Sequence, residues 1–364
     1  MVVSSVLPAD GFVAGSLGTG AVPAPPAAGF AKIRFRQGNR ADFYRTVKAR
    51  VNSHLEASGK TRFADRRIVT KAAIYTTMVV ASYALILSDA FGPWTMLALA
   101  NVFGVSTLLL AINVAHDAAH DALLPQRWLN KIIHTAIFTV LGANAYLWRL
   151  RHVKSHHTFP NVNGCDIDID YNTFVRLSPN QPHRFYHRYQ HLYAPFIFWL
   201  VDVHTVFVQD MIYLFKRRLA NMTDIRHPPR EIVIFFVCKL IYLAIVFFVP
   251  AMVLTIPWWQ VMIGSLLMSF VASTVFVMLL IGTHFANETE FPEVDAEGCI
   301  PHDWAEHALV TSLDWSPTSR LANFVAGGAN AHAAHHLFPT VCHVHYVAVT
   351  EIIKRTAAEF GIRY

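Results

Sequence analysis

At 364 residues the chain has room for two or three soluble domains. A hydrophobic share of 54%, a charged share of only 15% and a mean hydropathy of +0.35 exclude that reading and point to the membrane. The net charge of +6 does not mark a nucleic-acid binder: twelve Lys/Arg fall in residues 32–71 and thirteen in 127–230, but none in 88–93 or 255–259, the asymmetry of cytoplasmic and opposite-side loops.

Residues 1–30, rich in Ala, Gly and Pro and without a basic residue before Lys32, read as a flexible tail and not a secretory signal. Residues 31–70 are basic and weakly amphipathic through Phe35, Phe43, Val47 and Val51, which predicts a helix on the cytoplasmic membrane surface. The membrane domain is expected over residues 71–364. Within it, residues 72–91 supply the roughly 20 apolar positions that a bilayer requires. Gly92-Pro93 breaks the run, Trp94 anchors it at the interface, and residues 96–114 run back, which predicts a tight helical hairpin.

Residues 132–148 are apolar but short and carry His134 and Asn144, so they are expected to re-enter the membrane or cap a site without crossing. The apolar stretch 196–215 is interrupted by Asp202, His204, Gln209 and Asp210 and reads as an interfacial helix. Residues 232–256 and 258–282 predict a second hairpin about Pro257, with Trp258 and Trp259 as anchors and Lys239 snorkelling to the surface. Residues 288–364 are soluble in character and end in a helix at 347–360. The expected fold is an all-α integral membrane protein. It has four transmembrane helices in two hairpins, both termini in the cytoplasm, and a cytoplasmic helical cap. Four separated cysteines (Cys165, Cys238, Cys299 and Cys342), with no CxxC pair, are expected to be reduced, structural thiols.

Three histidine clusters stand at the cytoplasmic ends of these segments: His116 and His120; His152, His156 and His157; His332, His335 and His336. On an α-helix residues i and i+4 share a face, which pairs His116 with His120 and His152 with His156 and turns His157 roughly 100° away toward a second ion. One transition metal offers four to six positions, so eight imidazoles imply two ions, although imidazole suits Fe, Zn, Cu and Ni alike. Asp117, Asp121, Asp166, Asp168, Glu288 and Asn330 are candidates to orient the rings, since a metal-bound histidine usually gives its other N–H to a carboxylate or carbonyl. His343 and His345 are held in reserve for the same role. The acidic run Asp166, Asp168, Asp170 is no calcium loop, because its sixth position is Tyr171 where glycine is required. His183, His187 and His191 are also spaced by four, but with Tyr186, Tyr189 and Tyr193 among them they read as an interfacial face.

Read as HxxxH, HxxxHH and HxxHH, the clusters resemble the histidine boxes of the membrane fatty acid desaturase superfamily. Thr158-Phe-Pro-Asn-Val-Asn-Gly164 after box two, Asn287-Glu-Thr-Glu-Phe-Pro292 before box three, and Gly327-Gly328, Leu337-Phe-Pro339 and His343-Val-His-Tyr346 around it extend the likeness to residues 70–350, nearest to bacterial linoleoyl-CoA-type members. One departure is His332, where front-end members usually carry Gln, so regiochemistry is not carried over. The resemblance implies His284 as a ninth ligand and two iron ions with O2 as co-substrate. It implies desaturation of an acyl chain carried on CoA, acyl carrier protein or lipid. Hydroxylase, acetylenase and epoxidase outcomes share the scaffold, and a membrane metal transporter is the alternative from another class. With no flavin or nicotinamide fingerprint and no cluster-forming cysteines, electrons are expected from a separate ferredoxin or cytochrome b5-type donor with its reductase. Membrane lipid is an expected partner; nucleic acid is not.

Overall fold

The computed structural model describes residues 33–36, 41–170 and 172–364, so the tail expected over residues 1–30 lies outside it. Regular structure among the described residues is helical apart from one short parallel pairing of β1 (Arg34–Phe35) with β2 (Cys299–Ile300) and an isolated bridge between Leu219 and Met222. Helix α1 (Ala41–Ala57) carries Phe43, Val47, Val51 and Leu55 at a spacing of four, which aligns them on one face. That face was expected to meet the membrane surface. Instead Phe43, Val47 and Val51 are fully buried against protein, because residues near the C-terminus offer a matching apolar face.

Among the described residues, four helices are long and apolar enough to cross a membrane: α2 (Arg66–Leu87), α3 (Pro93–Ala119), and two that appear later in the chain. Asp65 caps α2 by accepting from the Arg67 N–H, and Pro93 opens α3 where a missing N–H costs nothing. The two helices pack along each other. Near its end α3 widens into a π turn, Ala111–Ala115, directly before His116.

The segment expected as one piece over 132–148 is two. Helix α4 (Arg127–Leu141) stops at Gly142, whose φ of +94° suits glycine alone, and whose missing Cβ would lie 2.7 Å from the Tyr242 ring. The Asn144 side chain then accepts from the Leu147 N–H and starts α5 (Ala145–Arg149), which runs straight into a second π turn, Leu150–His156. Helices α6 (Phe185–Phe198) and α7 (Val201–Phe215) meet at a 72° bend. The bent pair leans on a crossing helix, with Trp199 stacked on Phe270 and the Asp202 N–H donating to Ser273 Oγ at 3.0 Å. Phe196, Phe207 and Phe215 stay exposed.

The remaining candidate spans are α8 (Pro229–Val253) and α9 (Trp258–Thr283), joined through Leu254 to Pro257. Lys239 on α8 does not snorkel. Its ammonium donates to Asp210 Oδ2 (2.7 Å), Gly142 O (2.7 Å) and Val206 O (2.6 Å), because α7 brings a carboxylate to meet it. Four short helices close the fold: α10 (Trp304–Val310), α11 (Arg320–Ala326), α12 (His332–Leu337) and α13 (Tyr346–Glu359). The buried apolar core that contains α12 is built from α1, α10 and α13, and it supports box three. The four cysteines are unpaired.

Candidate metal centre

Each box reaches the centre on a different element. The π turn of α3 delivers His116 and His120, the π turn after α5 delivers His152 and His156, and α12 carries His332, His335 and His336 with every residue buried. His284 follows directly on α9. Eight rings form two groups whose ligand nitrogens all lie within 4.8 Å of one another: His116, His120, His152 and His335 in one, His156, His284, His332 and His336 in the other. His157 stands between them, its ring centroid 4.4 Å from His335, 4.5 Å from His120 and 4.5 Å from His336.

The pairing within box two differs from the α-helical expectation. The His157 N–H bonds to His152 O at 3.0 Å, five residues back, and in this wider turn His152 and His157 bring their Nε2 atoms to 3.1 Å. His156 is thereby released to the other group. Box three divides too: His332 and His336, one α-turn apart, face one group, and His335 faces the other.

The convergence suits cations. His152 Nε2 lies 3.2 Å from His116 Nε2 and 3.1 Å from His157 Nε2; His284 Nε2 lies 2.7 Å from His332 Nε2 and 3.1 Å from His336 Nε2. Two facing neutral imidazoles can share one proton, but three converging nitrogens cannot satisfy one another. His120 Nε2 and His335 Nε2, both of the first group, are buried without any hydrogen-bond partner, a cost that an ion in that group would remove. Burial pushes His152, His157, His284, His335 and His336 well below the usual histidine range and His332 down to about 3, which leaves neutral, ligand-ready rings. His156 is the exception. Burial opposes its charged form, but the Asp166 and Asp168 carboxylates outweigh it and raise the value.

Outer partners fix several rings. Asp166 Oδ2 accepts from His156 Nδ1 at 3.0 Å and from the Asn161 N–H at 2.9 Å. Asp168 lies 3.7 Å from His156 Nδ1 and is held by Arg151. Thr311 O accepts from His284 Nδ1 at 2.8 Å. The other sequence candidates stand elsewhere. Asp117 binds His343 and Cys342, Asp121 lies 3.9 Å from Arg149, Glu288 is exposed, and Asn330 donates to Ser316 O. The His183–His187–His191 spacing joins no metal-competent group among the described residues; His187 Nε2 donates to Thr173 O and ties down a loop.

Sequence reasoning missed Trp148 as a neighbour of the centre, stacked on His152 at 4.3 Å, although its position four residues earlier was a usable signal. Asn161 was quoted only as part of a motif. Its Nδ2 donates to the carbonyls of His284 (3.2 Å), Glu290 (3.0 Å) and Thr311 (3.3 Å), stapling box two to the segment that carries His284. Thr311 acts through its backbone and leaves no signal in its residue type.

The description of the fatty acid desaturase family matches residues 37–364 of the chain. The chain belongs to that family. Among its relatives, the sn-1 linoleoyl-lipid 6-desaturase of Arthrospira platensis is 29% identical over 340 residues, covering 92% of this chain and 89% of that protein. The enzyme of the same name from Synechocystis sp. is 29% identical over 343 residues, 92% of each. The acyl-lipid (8-3)-desaturase of Physcomitrium patens is 28% identical over 341 residues, 92% of this chain and 70% of that protein. This desaturase is an oxidoreductase of fatty acyl chains, with four helices among the described residues apolar enough to cross a membrane and a histidine centre suited to metal.

Proposed function

We propose that this desaturase holds two iron ions, uses O2, and introduces a double bond into the acyl chain of a membrane lipid. The observation that carries the reading is the pair of convergent imidazole groups, each with four nitrogens within 4.8 Å. Iron, when bound, supplies the O2-derived oxidising power that an unactivated C–H bond demands and that redox-inert zinc lacks. His116, His120, His152 and His335, with His157 as a fifth nitrogen, hold one ion; His156, His284, His332 and His336 hold the other. Asp166 and the Thr311 carbonyl keep His156 and His284 in the tautomer that points Nε2 inward. Trp148 packs over His152 and, with the buried rings of α12, keeps bulk water from the centre.

A lipid-borne chain is favoured over a CoA or carrier-protein thioester by the relatives, whose names specify acyl-lipid or linoleoyl-lipid desaturation. The spans are read as two hairpins, α2 with α3 and α8 with α9, under a cytoplasmic cap of α1 and α10–α13, with both termini in the cytoplasm. Electrons come from a separate ferredoxin or cytochrome b5-type donor with its reductase. A metal transporter would place its ligands near the bilayer midplane, whereas His116 and His284 stand at span ends, which disfavours that class.

The test is mass spectrometry of lipids from cells that express the protein, together with O2 consumption by purified protein given lipid and a reduced donor. Loss of two mass units from an acyl chain is expected. A hydroxylated, acetylenic or epoxidised chain would replace desaturation with that outcome, and metal flux without O2 uptake would overturn the enzyme reading.

A further inference from the structure

Beside the histidine groups lies a buried polar cluster that binds no box histidine. Lys71 of α2 is 2% exposed, and its ammonium donates to Asn113 Oδ1 (2.9 Å), Asn323 O (3.2 Å) and His343 Nε2 (2.8 Å). An ammonium has three donors and no acceptor, so His343 Nε2 must be the accepting nitrogen and Nδ1 carries the proton. Nδ1 donates to Asp117 Oδ2 at 2.8 Å, and the same oxygen accepts from Cys342 Sγ at 2.9 Å. Asp117 lies in box one between His116 and His120, while His343 lies seven positions beyond His336. Asn113, in the π turn that precedes His116, also donates to Val325 O at 3.0 Å.

The cluster therefore grips both ends of the box-one turn. Asn113 is held before His116 and Asp117 after it, from α2, α11 and the segment after box three. A π turn lacks the i, i+4 bonds that would fix its own register, so external ties must select it. We propose that Lys71, acting through His343 and Asp117, is a positioning residue that sets the register of the box-one turn and so prepares the His116, His120, His152, His335 group for its ion. The inference rests on the two-ion reading above.

Metal content measured by mass spectrometry on purified protein tests it, with X-ray absorption as a second readout. Wild type should hold two ions per chain. Lys71→Met should hold close to one, since His156, His284, His332 and His336 lie on other elements, and its turnover should fall about 10–100-fold. Lys239→Met removes another buried ammonium, one tied to Gly142, Val206 and Asp210 and not to the box-one turn, and should keep two ions, which separates positioning of box one from general loss of stability. Should Lys71→Met not fold, the His343 pair decides. His343→Gln can accept from Lys71 and donate to Asp117 as the neutral ring does, and should keep two ions; His343→Leu should lose one. Two ions retained in both Lys71→Met and His343→Leu would overturn the proposal. Wild type without two nitrogen-bound ions would instead overturn the reading of the centre itself.

Discussion

His332 and Asn161 show what single residues do in this centre. His332 Nε2 lies 2.7 Å from His284 Nε2, within a group of four nitrogens. On the two-ion proposal, removing any of its nine histidines would open a coordination position, so Ala at His116, His120, His152, His156, His157, His284, His332, His335 or His336 should abolish product in a lipid assay. Ala at His183 or His191, matched for protein level, should leave most activity. His332→Gln is the sharper case: strong impairment is expected, and wild-type product from that variant would remove His332 from the ligand set. Asn161 sits at φ +61° and offers its amide to three carbonyls. Asn161→Gly keeps the backbone accessible but strips the Glu290 carbonyl of its donor, at a cost of about 1–3 kcal/mol, while Thr311 O keeps His284 Nδ1 and His284 O keeps Thr289 Oγ1. A lower unfolding temperature should result, together with weaker metal retention, since one of the three carbonyls belongs to His284.

At the scale of elements, the π turn at Leu150–His156 decides which ring of box two meets which group. Box spacing was legible in the sequence, and so was the meeting of distant boxes. The partition was not, because an α-helical wheel pairs His152 with His156, whereas the turn at Leu150–His156 pairs His152 with His157. Nothing in the residue types of Leu150 to Ser155 announces that widening. Lys239 and α1 misled for a related reason: each is amphipathic in the way a membrane surface rewards, and the partners that claim them, Asp210 and α13, lie far away in sequence. The π turn also makes a prediction. Deleting Leu150 removes the extra residue, restores i, i+4 bonding and returns His152 and His156 to one face. The deletion variant should lose metal and turnover while circular dichroism reports unchanged helix content.

Over the whole molecule, the apolar helices α2, α3, α8 and α9 were readable from hydropathy alone, and their ends coincide with box one and His284. The proposed orientation is tested by cysteine labelling on a background lacking the four native thiols. A cysteine at Ser88 should react only from the side opposite the cytoplasm, and one at Lys60 only from the cytoplasm; reversed accessibility would refute the topology.

Because box two and box three each feed both groups, neither group is complete in any piece of the chain that stops short of α12. Synthesis must pass all four apolar helices and reach His335 before the first full set of four imidazoles exists. On the proposed two-iron reading, loading therefore follows the synthesis of all four apolar helices and of box three. A nascent chain released before His332 should leave the membrane with histidines that scavenge metal loosely and hold none at a defined site.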